Sequence, residues 1–201
     1  YNLAKWSKEK NIKNNGIVLI DLFYWGPWIY FWSYLASCLR NEKKLEIRFF
    51  YFHFFFNKFQ NFNFFKYKLI KIYNSMNIFE GINEINFKYK DVEYLKYQKL
   101  FFKIKSNNEL VRFKIHNILI GDLIYDTYLR TTFEPTIILS DPRLKKIFIR
   151  SLKIFFETLN FFKHNKVKYV IPSHLCYTYG IIARIALKKK IKVIKLRSEN
   201  W

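Results

Sequence analysis

The feature that most constrains the fold is an alternation of short apolar runs with helical segments in the second half of the chain. "VKYVIPS" is a short strand with a continuous apolar run, "CYTYGIIARIALKKK" has helical spacing, and "IKVIKL" is a further strand. Upstream, Asp141-Pro142 is a helix start, with Asp141 as N-cap and Pro142 at the first helical position, where its missing N–H costs nothing. The helix is expected to run to about Asn165. Its apolar stripe, Leu144, Ile147, Phe148, Leu152, Phe155, Phe156, Leu159 and Phe162, recurs at helical spacing and reads as core packing. "ELVRFKIHNILIG" carries strand character before Gly121. Strand, helix, strand, helix, strand argues for a parallel sheet covered by helices, with right-handed crossovers.

The first half repeats the theme. "GIVLIDLF" reads as a strand, "PWIYFWSYLASCLR" as a helix and "KLEIRFFYF" as a second strand, which is a β-α-β unit. Asp91 to Ser106 reads as a helix capped by Asp91 and ended by Asn107 and Asn108. The fold class expected is α/β, a Rossmann-like parallel sheet with helices on both faces. Residues 1–15 read as a basic flank and 16–201 as one domain, with an irregular insertion around 57–90. The chain begins at Tyr1 and stops at Trp201 after a strand-like run, so it is expected to be a piece of a longer protein, truncated at both ends.

Ile17 to Leu39 is long enough to cross a bilayer, but it carries Asp21 and a Gly26-Pro27 break. An Asp at a bilayer centre costs ~3 kcal/mol. A buried strand from Gly16 to Phe23, a turn and a helix from about Pro27 to Arg40 fit the stretch better. The Phe- and Lys-rich segment that follows is too interrupted to span, though such a mixture suits a membrane surface.

Thirty-six Lys+Arg stand against 15 Asp+Glu, a formal net charge of +21, and 21% of residues are aromatic. An A+T-rich coding bias inflates Lys, Asn, Ile, Phe and Tyr together and accounts for much of this. Whatever its origin, the positive field favours phosphates and anionic membranes. Nucleic acid is disfavoured as a partner, because the lysines are spread and no binding motif is present. Cys38 and Cys176 lie far apart, and the four histidines are scattered, so no metal site is readable. Reduced thiols fit a cytoplasmic setting, including a peripheral position at the inner membrane.

In open parallel sheets, ligands bind at the carboxyl ends of strands near a topological switch point. Three stretches meet that rule: "DLFYWGPW", "GDLIYDTYLR" and "IPSHLCYTYG". In the second, Gly121 permits a tight exit and Asp122 can cap the following helix. Asp126 lies four residues on and Arg130 four beyond that, so all three share a helical face. The bland alternative is an N-cap and a local ion pair worth a few tenths of a kcal/mol. The functional alternative is a carboxylate and a guanidinium aimed into a cleft, with Tyr125 or Tyr128 as a sugar or base platform. In the third stretch, Ser173 and His174 follow a strand and precede a helix whose N-terminus favours anions. Tyr177, Tyr179 and Arg184 lie on or near that helix, where Arg184 is either a solvated charge or a phosphate ligand. Gly26 in "YWGPW" either lets a ligand approach or makes a bare turn. No G-x-G-x-x-G, Walker A, nucleophile elbow or H-E-x-x-H is present.

At "IGDLIYDTYLR", Pro135-Thr136 and "SHLCYTYGIIARIAL", the chain resembles a bacterial family of capsular and surface polysaccharide biosynthesis proteins, which are glycosyltransferase-like. The resemblance covers roughly Ile115 to Leu196, and it departs at Lys190, where a glycine commonly precedes the last strand. It implies the amino-terminal half of a GT-B arrangement of two Rossmann-like domains. That half supplies the acceptor side of the cleft, while a nucleotide sugar sits mainly on the other half as donor substrate, with no bound cofactor. Saccharide or lipid-linked acceptors are the implied partners. Asp122, Asp126 and His174 are base candidates. Gly121, Tyr125, Tyr128, Arg130, Ser173, Tyr177, Arg184 and Gly26 are candidates for holding substrate. The competing classes are a basic nucleic-acid-binding protein and an integral membrane protein of envelope synthesis.

Overall fold

The structure is a computed structural model, and it describes residues 15–21, 26–51, 70–71, 74, 78–83 and 92–195. The strands in chain order are β1 (Ile17–Asp21), β2 (Glu46–Tyr51), β3 (Ile78–Asn83), β4 (Lys114–Ile115), β5 (Ile118–Leu119), β6 (Val167–Ile171) and β7 (Lys192–Val193). The helices are α1 (Gly26–Lys43), α2 (Val92–Leu100), α3 (Asn107–Val111), α4 (Gly121–Thr132), α5 (Pro142–His164) and α6 (Gly180–Lys188). Short 3-10 turns stand at Phe101–Lys103 and Tyr177–Tyr179.

Five strands form one parallel sheet in the order β3-β2-β1-β6-β7. β1 is central, and every one of its residues is buried, as a strand covered on both faces must be. Its side chains alternate between two cores. Ile17 and Leu19 join Phe50, Ile82 and Val170 under α4, α5 and α6. Val18 and Ile20 join Ile47, Phe49, Ile78 and Ile171 under Ala36, Leu35 and Leu39 of α1. The expected Rossmann-like α/β sheet with helices on both faces is therefore present.

α5 forms as its sequence dictates. Asp141 accepts the Arg143 backbone N–H at 2.7 Å, Pro142 opens the helix, and Leu144, Phe148, Leu152, Phe155, Phe156 and Phe162 are buried along one stripe. Truncating one of these Phe side chains to Ala costs about 3–5 kcal/mol.

Three expectations need correction. The strand expected before Gly121 is not part of the sheet. That stretch folds as α3, capped by Ser106, followed by the antiparallel hairpin of β4 and β5. His116 and Asn117 make the turn at φ 49° and 61°, a left-handed pair suited to a two-residue hairpin. The helix expected to run to Ser106 ends at Leu100 and tightens into the 3-10 turn, with Ile104 extended; its proposed cap, Asp91, lies outside the described residues. Finally, part of the stretch expected to be irregular is the edge strand β3. Gly81 in it suits close packing, because a Cβ there would come within 2.9 Å of Arg48 Cβ and Leu19 Cδ2. Residues 1–14 of the basic flank and most of 52–77 lie outside the described residues.

The stretch first weighed as a membrane span is β1 followed by α1. Among the described residues, no helix is long and apolar enough to cross a membrane.

Candidate functional site

β1 connects through α1 to β2 on one side, while β6 arrives on the other side of β1. The switch point of the sheet is therefore the crevice at the carboxyl ends of β1 and β6. Asp21 ends β1 there and is 2% exposed. Across the crevice, the Ser173 backbone N–H donates to Asp21 Oδ2 at 3.3 Å, and the Ser173 hydroxyl donates to the same oxygen. Ser173 Oγ lies 2.9 Å from His174 Nδ1. Lys195, just beyond β7, donates through Nζ to the Ser173 carbonyl. A carboxylate, a hydroxyl and an imidazole thus stand in one hydrogen-bonded chain, with an ammonium beside them.

The electrostatics follow from burial. Desolvation pushes the Asp21 carboxyl up to about 6, against the opposing pull of the Ser173 hydrogen bonds and the Lys195 charge. His174 keeps an exposed edge, but partial burial and then the Lys195 charge hold its pKa below the ordinary imidazole value. The ring is neutral at pH 7, and its tautomer follows Asp21. With Asp21 ionised, Ser173 Oγ–H donates to the carboxylate and accepts the His174 Nδ1–H, so Nε2 carries the basic lone pair. With Asp21 protonated, its O–H can donate to Ser173 Oγ, whose own hydrogen turns to Nδ1, and Nε2 then carries the ring proton.

α4 borders this crevice. It starts at Gly121, where a Cβ would lie 1.8 Å from the Leu110 carbonyl oxygen; glycine is required for the close approach of α3. Asp122 does not cap the helix by its side chain: the N-cap is Ile120, with no side-chain bond. Instead, Asp122 takes a bidentate pair from Arg184 of α6, both contacts at 2.6 Å, and Arg184 also donates to the Leu119 carbonyl at 2.7 Å. Burial alone would raise the Asp122 carboxyl, but the Arg184 bonds and charge outweigh it and hold it below the usual range. The guanidinium fork available for a phosphate is occupied by Asp122.

Asp126 is exposed and forms no ion pair with Arg130 among the described residues. Partial burial and the Asp122 charge raise its pKa, and Arg184 offsets part of this. Asp126 and Lys195 both act on the Cys176 thiol, whose pKa is raised chiefly by burial. One rim therefore runs from Lys195 and His174 past Cys176 to Asp126. The buried Thr127 hydroxyl of α4 accepts the Thr178 backbone N–H at 3.0 Å and fixes this rim to the 3-10 turn.

Other candidates fall elsewhere. Tyr128 is fully buried and donates to Asp141 Oδ2 at 2.7 Å, so it braces α4 against α5 and is no sugar platform. Tyr125 packs partly buried against the core. Arg130 is exposed on the last turn of α4. Tyr177 follows Cys176 at φ 57°, a left-handed backbone in the loop beside His174. The helix thought to stand directly behind His174 begins only at Gly180, after the 3-10 turn, and a Cβ on Gly180 would lie 2.2 Å from the Leu175 carbonyl oxygen. Gly26 opens α1, while residues 22–25 before it lie outside the described residues.

Sequence reasoning missed Asp21 and Lys195 as site residues. For Asp21 the signal was present: an acid closing the apolar strand "IVLID" stands where ligands bind. Among the described residues, no group of His, Cys, Asp and Glu is arranged to hold a metal ion. In comparisons with known proteins, no family model, no curated protein and no solved structure matches the chain.

Proposed function

We propose that this domain forms the acceptor wall of a glycosyl-transfer cleft, in which a sugar passes from a nucleotide sugar to a saccharide or lipid-linked acceptor of bacterial surface polysaccharide synthesis. The observation that carries the proposal is the Asp21–Ser173–His174 chain at the switch point of the sheet. The resemblance at "IGDLIYDTYLR" and "SHLCYTYGIIARIAL" supports it, and a second Rossmann-like domain would supply the donor side.

In this scheme His174 Nε2 takes the proton of the acceptor hydroxyl as that oxygen attacks the anomeric carbon. The bond to the departing nucleoside diphosphate breaks, and its electron pair leaves with the phosphate oxygen. Asp21, acting through Ser173, holds the ring in the tautomer that can accept this proton and offsets the imidazolium charge. Partial burial and then Lys195 keep the ring neutral before transfer, and Lys195 adds positive potential for the departing diphosphate. Asp126, farther along the same rim, is placed to accept hydrogen bonds from sugar hydroxyls.

The test is a calorimetric titration with a panel of nucleotide sugars and saccharide acceptors, with transfer followed by mass spectrometry. His174→Ala is expected to lower transfer by a factor of about 100 or more while leaving donor binding intact. Asp126→Asn is expected to weaken acceptor binding. A folded protein that binds no member of either panel and transfers no sugar would sink the proposal.

A further inference from the structure

We propose that the outer face of α2, with the 3-10 turn after it, is a docking surface for an anionic lipid bilayer. α2 turns Tyr94 into the core and leaves the opposite face uncovered by any described residue. On that face Val92 is 81% exposed, Leu95 43% and, in the adjoining turn, Phe102 68%. Between them stand Lys96, Lys99 and Lys103, all exposed. Lys145 of α5 lies over the Phe102 ring at 4.8 Å from its centroid, which brings the exposed Lys145 to the same patch. The one acid of the helix, Glu93, pairs with His116 on the β4–β5 turn.

Apolar side chains interleaved with lysines match an interface that is itself layered. Val92, Leu95 and Phe102 reach the acyl boundary, and the lysine stems lie along them while the ammonium groups meet lipid phosphates. A nucleic acid would satisfy the lysines but leave the aliphatic side chains in water, and an acidic protein groove would not need four cations around three apolar groups. The proposal does not depend on the glycosyl-transfer scheme, because binding is read without any sugar substrate.

The experiment is flotation of the purified chain with vesicles of phosphatidylcholine alone and of phosphatidylcholine mixed with phosphatidylglycerol. Binding to the mixed vesicles and none to the neutral ones is expected. Combined Lys96→Glu, Lys99→Glu and Lys103→Glu should weaken binding by about a hundredfold or more, since each lysine near an anionic surface contributes roughly fivefold and the glutamates add repulsion. The charge-matched control, Lys188→Glu, Lys189→Glu and Lys190→Glu at the end of α6, should weaken it only severalfold. Leu95→Ser with Phe102→Ser should leave binding at low salt and abolish it at moderate salt. All variants are checked for native circular dichroism. Equal losses from the two lysine sets would show that net charge alone attracts lipid and would overturn the proposal. So would the absence of flotation, or a Leu95/Phe102 variant that behaves like the parent.

Discussion

Asp21 closes an otherwise apolar strand and stands nearly without solvent, with its carboxyl pushed up to about 6 from the ordinary 3.8. Between those two values the folded chain holds a proton that the unfolded chain has released. Stability from this group is therefore fully present below the unfolded value and lost as pH rises through about 6, the reverse of a salt-bridged Asp. A shift of this size corresponds to on the order of 3 kcal/mol. Asp21→Asn keeps an acceptor for Ser173 and removes the buried charge. It is expected to be more stable than the parent at pH 7, by up to that amount, with the gain vanishing near pH 4. Guanidinium melts at both pH values check it; a variant less stable at pH 7 would mean that Ser173 and Lys195 more than offset the burial. Lys190 carries a conformational cost instead. Its φ is 58°, with its N–H on Leu187 O and the Ile191 N–H on Ala186 O, a helix end that favours glycine. Lys190→Gly should raise stability by about 1 kcal/mol, read as an increase in Tm.

At the scale of elements, α4 depends on a contact that only glycine permits. In Gly121→Ala the new methyl would meet the Leu110 carbonyl at 1.8 Å, and because that atom is backbone, α3 must move. A loss of about 3 kcal/mol is expected in chemical denaturation, whereas Asp126→Ala on the exposed face of the same helix should change stability by less than about 0.5 kcal/mol. What could be read from the sequence divides along the same line between local and distant contacts. The start of α5 was legible because Asp141 caps its own helix two residues away. The β4–β5 hairpin was not, because "KIHNILI" gives the same apolar run whether it continues or folds back, and His116-Asn117 lacks the glycine that usually marks such a turn. The helical face shared by Asp122, Asp126 and Arg130 was read correctly, but its partner was not: Asp122 is claimed by Arg184, 62 residues away. Asp21 and Ser173 are 152 residues apart, and only the strand order brings them together.

The whole molecule carries a formal charge of +21, and this field sets how its stability answers to salt. Two opposing effects compete. Screening relieves repulsion among Lys and Arg spread over the surface, which favours the compact state. Screening also weakens the ion pairs Arg184–Asp122 and Arg143–Asp141 with Glu134, which favours the unfolded one. These pairs are partly exposed and contribute little, whereas the excess positive charge of the chain is many times larger than the charge they neutralise. Repulsion is expected to dominate. Raising sodium chloride from about 10 mM to about 150 mM shortens the screening length from roughly 30 Å to roughly 8 Å, less than the width of the domain. Tm should rise by a few degrees, at roughly 3 °C per kcal/mol for a chain of this size. Thermal melts at matched pH decide it. A fall in Tm would mean that the ion pairs outweigh the field. A rise with sulfate well beyond that with chloride at equal ionic strength would point to specific anion binding in addition to screening, and Lys195→Gln, which removes the cation beside His174, should then reduce that excess.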